Sequence, residues 1–419
     1  MKVLFAMDSM KGSLSSLDFG DAASDGLLRA VPDAEYDVRP IADGGEGTVE
    51  AITVGCDGYL TELEVTGPLG DIITARYGII PGADGTDIPA GSTASVDGTP
   101  DKSGVKRYNT AVIDIASACG LSLIPESLRT PMDTTTYGVG ELIGDAIRKG
   151  CRSFIIGLGG SSTNDCGIGM LQALGYHFYG TGRERLDGSG THMIGRIKKH
   201  HLIGSDLEFV RGITMEDVPP ELGECTFHIA CDVTNPLLGE MGASYVYGPQ
   251  KGAFDSDIRL MDSWMRSFVD VSRAALGQDI VPDFPGCGAA GGLGFCFKYF
   301  IGGEIRSGIQ TVIEQTGLKK YIAEADLVVT GEGRLDAQTS MGKAPAGIAH
   351  IAKVFNKPVI MLAGVVDPDF YGTDIADVDA YFPVIPCSIE ERLLMEPETA
   401  RRNVTAAAYN IFKLYSLKA

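Results

Sequence analysis

Five times along the chain an apolar run stops and a glycine-containing stretch with carboxylates begins at once. This happens at Asp8, at Asp43 and Glu46, at Asp165, at Asp232, and at Glu332 and Asp336. Short apolar runs read as buried strands, and in parallel or mixed sheets ligands collect at the carboxyl ends of strands. Glycine lets backbone N–H groups approach the oxygens of an anion. Carboxylates in the same place repel a phosphate unless a divalent cation stands between them. Mg²⁺ takes oxygen ligands and keeps several waters, so one or two carboxylates beside a glycine cradle suit it. The chemistry these loops could do together is the handling of a polyphosphate through Mg²⁺.

The richest segment is TGEGRLDAQTSMGKAPAG at 330–347. Glu332, Arg334 and Asp336 leave an expected strand together, with Ser340 and Lys343 just beyond. Arginine can neutralise a transferring phosphoryl group, and aspartate can orient a hydroxyl nucleophile. GLGGSSTNDCG at 157–167 joins a strand end, a glycine nest and an Asn-Asp pair. Its candidates for nucleotide phosphate are Gly159, Gly160, Ser161, Ser162 and Asn164, with Asp165 for the metal. It is not the G-x-G-x-x-G fingerprint, and no Gly-Lys-Ser/Thr follows it. ADGGEG at 42–47 offers Asp43 and Glu46; the alternative is a tight turn in which Glu46 steadies the next helix's first turn. Lys11 in DSMK steadies a phosphoryl or carboxylate group, or pairs with Asp8 at a helix start. Asp232 in ACDVTNPL serves metal or substrate, or caps a turn. Lys251 in YGPQKGA brings a cation from a compact turn. GCGAAGGLG at 286–294, with Gly291 and Gly292, is a second anion nest, or a set of small residues that lets a helix pack closely.

The elements that must position these loops follow βαβα grammar at both ends of the chain. KVLFAM (2–7) reads as a buried strand, 15–30 as a helix, 35–41 as a second strand and the stretch from Thr48 as a second helix. Late in the chain come a strand at 326–330, a helix at 343–355, strands at 358–364 and 379–385, and an amphipathic helix at 397–416. Neither end has enough strands for a sheet of its own. The economical solution is an α/β fold with one discontinuous parallel-sheet domain, 1–65 plus 295–419, and an inserted α/β domain, 66–294. Within the insert, LTELEVTGPLG and DIITARYGII form two β segments around a Gly-Pro turn. The polar tract 81–107 has little to bury and is expected to be an exposed excursion. A helix at 136–149 leads into a strand at 153–160, another helix falls at 166–175, and 227–234 is a strand followed by a loop. A long helix at 255–276 carries Trp264, the one tryptophan, expected in packing.

At 419 residues the chain exceeds one ordinary core. A net charge of −20 repels nucleic acid and anionic membranes, though a local cationic pocket still admits a small anion. The nine cysteines show no Cys-x-x-Cys and the histidines no zinc-like cluster, so reduced core thiols are expected. No apolar stretch reaches membrane-spanning length. The apolar start is cut off by Asp8 and Lys11 without a cleavage site, which makes the cytoplasm the expected compartment. There is no Gly-x-Ser-x-Gly elbow and no His-Glu-x-x-His, so hydrolase chemistry has no support.

The motifs together resemble the bacterial glycerate kinase family, type 1, over nearly the whole chain. The matching pieces are DSMKGSLS (8–15), ADGGEGT (42–48), TGPLG (66–70), TTYGVGELI (135–143), GLGGSSTND (157–165), ACDVTNPL (230–237), YGPQKGA (247–253), GAAGGLG (288–294) and TGEGRLDAQTSMGKAPAG (330–347). The resemblance implies two α/β domains, one Rossmann- or flavodoxin-like and built from both chain ends. It implies transfer of the γ-phosphoryl group of ATP to D-glycerate, with Mg²⁺, giving 2-phosphoglycerate. On that basis Asp43, Lys11, Arg334 and Asp336 are expected in catalysis. Asp8, Ser9, Glu46, Lys251 and Glu332 are expected at the substrate. Gly159, Gly160, Ser161, Ser162, Asn164, Gly291, Gly292 and Lys343 are expected at the nucleotide, and Asp165, Asp232 and Asp336 at the metal. Partners are the two substrates alone, with the chain acting as monomer or homodimer, and a cleft between the domains is expected to close over them. Two departures stand out: the tract 81–107 is longer than the family's turn, and Cys166 stands where the family has glycine. That cysteine costs backbone freedom only if φ is positive there.

Overall fold

The structure, a computed structural model, describes residues 1–42, 45, 47–82, 108–182, 184–187, 193–194, 197–198, 201–336, 344–385 and 390–417. Most of the expected excursion, 83–107, lies outside them. The chain divides into two compact units. Met1–Asp43, Glu50–Cys56 and Ser307–Ala419 form the first; Gly44–Val49 and Asp57–Arg306 form the second. The divisions at 56/57 and 306/307 compare with 65/66 and 294/295 drawn from the sequence.

The strands of the two main sheets are, in chain order, β1 (Lys2–Met7), β2 (Glu35–Pro40), β3 (Tyr59–Thr66), β4 (Ile72–Ile80), β5 (Asn109–Asp114) and β6 (Cys151–Gly157). They continue with β7 (Thr226–Ala230), β8 (Glu304–Arg306), β9 (Leu327–Leu335), β10 (Val359–Val366) and β11 (Ala380–Pro383). The first unit holds a five-stranded sheet in the order β11-β10-β9-β1-β2, parallel throughout. β1 shows why it is central. Its residues alternate between two cores, Val3, Phe5 and Met7 on one face and Leu4 and Ala6 on the other. Such a strand needs helices on both sides. Ser16–Ala30 and Pro397–Ser416 cover one face, while Gly308–Gln315, Leu318–Glu324 and Ala344–Val354 cover the other. Burying Phe5, which packs edge-on to Phe412 at 6.0 Å, contributes about 1.5–3 kcal/mol.

Strand order in this sheet reverses direction. From β1 the chain steps outward to β2, then returns to the other side of β1 and continues β9, β10, β11. The reversal lies between β1 and β9, where crossovers depart to opposite sides and leave a crevice beyond the strand ends.

The second unit holds a six-stranded mixed sheet in the order β8-β7-β6-β5-β4-β3. β5 to β8 are parallel, and β3 and β4 form the expected antiparallel pair. Here the order runs one way without reversal. Helices Tyr137–Arg148 and Asp255–Leu276 lie where the periodicity puts them. Trp264 is half-buried against this unit's core. Ala289–Tyr299 is helical except for a left-handed kink at Ala290, Gly291 and Gly292; Ala289 to Phe297 are buried without interruption, so the segment lacks the polar stripe that periodicity detects. No helix among the described residues is long and apolar enough to cross a membrane.

Candidate active site

In the first unit, β1 pairs with β9 up to Met7 opposite Gly331, and both chains then leave the ladder with a carboxylate. The Asp8 N–H donates to Gly331 O at 2.9 Å, the last rung. Asp8 is 6% exposed, and its Oδ1 accepts the Ser9 N–H at 2.7 Å. Glu332, one residue past Gly331, is 4% exposed. Two buried carboxylates thus stand side by side where the pairing of β1 with β9 stops, Asp8 just past the end of β1 and Glu332 still on β9, at the reversal point of the sheet. The loop after Asp8 closes on itself, with Met10 N–H to Leu14 O at 2.9 Å and Leu14 N–H to Met10 O at 3.1 Å. Gly12 makes the turn with φ of +78°, a conformation that glycine alone adopts freely. The turn leaves Lys11 exposed, as Arg334 is on β9. Gly364 on β10 permits the close fit beside them, since a Cβ there would sit 2.4 Å from Gly333 O.

These residues line a cavity of about 400 Å³. Its polar end carries Asp8, Ser9, Lys11, Glu332 and Arg334, and its other walls include Val384, Leu394, Met395 and Asn403. Asp336 is half-buried just beyond β9. The wall made by Val384, Ile385, Leu394, Met395, Ala400 and Asn403 was missed from the sequence. Its one signal was Asn403, a polar residue on the buried face of an otherwise apolar-faced helix with Ala400, Val404, Ala408 and Phe412.

In the second unit the glycine-rich loops meet, but mostly they hold one another. Asp165 is 0% exposed. Its Oδ2 accepts from Thr136 N–H at 2.9 Å, Thr136 Oγ1 at 2.7 Å and Gly169 N–H at 3.3 Å, and its Oδ1 accepts from Gly167 N–H at 3.1 Å. Burial pushes its carboxyl upward, against the pull of these donors. Both oxygens are engaged by donors of the surrounding loop, so Asp165 anchors that loop. Lys251, 2% exposed, donates to Ser161 Oγ at 2.9 Å and Thr163 O at 2.6 Å. Burial drives its ammonium down to about 8. Ser162 donates through N–H and Oγ to Cys119 O, each at 2.9 Å. Asn164 donates to Ser244 Oγ at 3.0 Å.

Ala290, Gly291 and Gly292 have φ of +52°, +66° and +94°. They are buried against the loop, with Cys166 N–H donating to Gly291 O at 3.0 Å. A Cβ on Gly291 would lie 2.0 Å from Thr163 O. Of the two readings left open for this stretch, close packing is the one the geometry supports. Cys166 has φ of +49°. The condition for a backbone cost is met, roughly 1–2 kcal/mol for a residue with a Cβ. What faces outward is smaller: Gly159 is half-buried, Gly160 is exposed, and Asp232 is exposed two residues beyond β7, whose Ala230 pairs with Gly157 of β6.

Asp43, Glu46 and Lys343 lie outside the described residues. Of the other expected site residues, Asp8, Ser9, Lys11, Glu332 and Arg334 come together around one cavity, with Asp336 just past the end of β9. Ser161, Ser162, Asn164, Asp165, Lys251, Gly291 and Gly292 come together as a buried brace. Three or more potential ligands of a metal ion are nowhere grouped among the described residues. Mg²⁺ asks for less: one or two carboxylate oxygens, with water completing the shell. Asp8 and Glu332, or the exposed Asp232, fit that demand.

A family model described as the glycerate kinase family matches residues 3–416. The chain belongs to the glycerate kinase family. A glycerate kinase of Haemophilus influenzae is 40% identical over 385 residues, covering 92% of this chain and 91% of the relative. A glycerate 2-kinase of Escherichia coli K12 is 40% identical over the same length and shares. The crystal structure of a Salmonella typhimurium LT2 protein assigned as glycerate kinase 2 matches with a TM-score of 0.80 and 38% identity, covering 100% of this chain and 99% of that one. A glycerate kinase needs a place for a phosphoryl donor and one for an acceptor hydroxyl.

Proposed function

We propose that the chain transfers the γ-phosphoryl group of ATP to D-glycerate, giving ADP and 2-phosphoglycerate, as a cytoplasmic enzyme. The observation that carries this reading is the polar end of the cavity at the sheet's reversal point. There, two buried carboxylates, Asp8 and Glu332, stand with two exposed cations, Lys11 and Arg334. Lys11 and Arg334 neutralise charge on the phosphoryl group in flight. Asp336 orients the acceptor hydroxyl and takes its proton as the new O–P bond forms and the bond to the β-phosphate oxygen breaks. Ser9, Asp8 and Glu332 hold ligand hydroxyls and the cation's water shell. Mg²⁺, when bound, shields the phosphate oxygens and withdraws charge toward the leaving group. Positioning and charge stabilisation suffice for this chemistry.

The test is product analysis by phosphorus NMR after incubation with ATP, Mg²⁺ and D-glycerate, with tartronate and longer aldonates in parallel. The expected result is ADP and a 2-phosphate ester from D-glycerate. ADP release that ignores every hydroxy acid would sink the reading. Asp232→Ala is expected to lower turnover by orders of magnitude with the fold intact.

A further inference from the structure

The first unit's cavity is too large and too apolar at one end for a three-carbon acid. Glycerate has about seven heavy atoms, whereas clefts of roughly 300–1,000 Å³ bury drug-sized ligands. At about 400 Å³ this cavity has room left when its polar end is occupied. The remaining walls are aliphatic: Val365, Val384, Ile385, Leu394 and Met395. Into them comes one polar group. Asn403 is 5% exposed and lines the cavity, and among the described residues no hydrogen bond holds its amide. The amide faces the cavity's open space, where it can meet a ligand that carries both a donor and an acceptor.

The geometry points to this half of the cavity as the seat of the adenine base of ATP. This rests on the kinase reading given above and deepens it. A purine is flat and apolar on its faces, which suits aliphatic walls. Its edge is polar, and asparagine pairs two-fold with adenine, its carbonyl accepting from the exocyclic amine and its NH₂ donating to a ring nitrogen. An acid with an apolar tail would fill the same walls but leave the amide unpaired. The seat lies beside the reversal point between β1 and β9, where open parallel sheets bind nucleotides. From there a nucleotide's phosphates run toward Lys11 and Arg334.

The test pairs a change in the protein with a change in the ligand. Binding of adenosine, and of purine riboside, which lacks the exocyclic amine, is measured by titration calorimetry on the full chain without any acid. Wild type is expected to favour adenosine by about tenfold, the worth of about one good hydrogen bond. In Asn403→Leu that preference disappears, and a change in stability alone cannot produce this result. Ala400→Phe, which fills the cavity from the same helix, weakens both nucleosides. In turnover assays Asn403→Leu raises the KM for ATP while the KM for D-glycerate moves less than about twofold. Equal binding of the two nucleosides by wild type overturns the proposal, as does an unchanged preference in Asn403→Leu. A rise in the KM for the acid alone also overturns it, because the cavity would then belong to the acceptor. Adenosine binding in the expected pattern without turnover of glycerate would leave the base site standing and remove the kinase reading.

Discussion

The two units carry similar motifs and use them in opposite ways. In the first, residues where the pairing of β1 with β9 stops face a cavity: Asp8 and Glu332 at its polar end, Lys11 and Arg334 toward solvent, with the Asn403 amide facing its open space. In the second, the polar groups of the glycine-rich loops are turned inward. Asp165 accepts four hydrogen bonds, Lys251 ties Ser161 to Thr163, and Gly291 lies against Thr163. Topology agrees with the contrast, since only the first unit's main sheet reverses its strand order. A motif marks where a loop has a demanding job. It does not say whether that job is touching a ligand or holding a backbone.

Substitutions can break this comparison. Glu332→Gln keeps shape and removes charge, so turnover is expected to fall about 100-fold or more while the urea midpoint stays put. A lower midpoint with normal turnover would place Glu332 with the braces. Asp165→Ala strands three backbone donors and the Thr136 hydroxyl inside the second unit. The expected loss is on the order of 4 kcal/mol in unfolding free energy, read by chemical denaturation. Gly291→Ala forces a Cβ against Thr163 O at positive φ and is expected to cost on the order of 3 kcal/mol by the same measurement. If either variant were stable but inactive, the second unit's loops would be ligand contacts instead.

The smallest effect depends on pH. Lys251 titrates near 10.5 when unfolded and about 8 in the fold, because burial disfavours its charge. Below pH 8 both states hold the proton, and the cost of burying it is carried in full. Between pH 8 and 10.5 only the unfolded chain keeps it, so the stability of wild type relative to Lys251→Met rises with pH, by no more than about 3 kcal/mol. A difference that is flat across this window would mean that Lys251 reaches solvent.

Much of this was legible in the sequence. Asp255–Leu276 and Pro397–Ser416 fall on the residues their periodicity marks, and alternation placed β3 and β4. Asp8 was legible because it follows directly on an apolar strand, and Glu332 because it follows the apolar first half of β9. The cavity wall was not. Val384, Met395 and Asn403 come from different elements, and no spacing rule links them. Nor could sequence tell that Asp165 is enclosed. Its partner Thr136 is 29 residues away, and Asn-Asp after a glycine nest reads the same whether it faces a metal or four donors. At 286–294 the choice between nest and close packing turns on distances such as that from Gly291 to Thr163, which only the fold sets.

Turnover of Arg334→Ala, set against its urea midpoint, tests the central claim most directly. That claim places the chemistry on the exposed cations and buried carboxylates around the first unit's cavity. The account predicts a fall in kcat of about 100-fold or more with an unchanged midpoint. Near-normal kcat, or a loss explained entirely by unfolding, would contradict it.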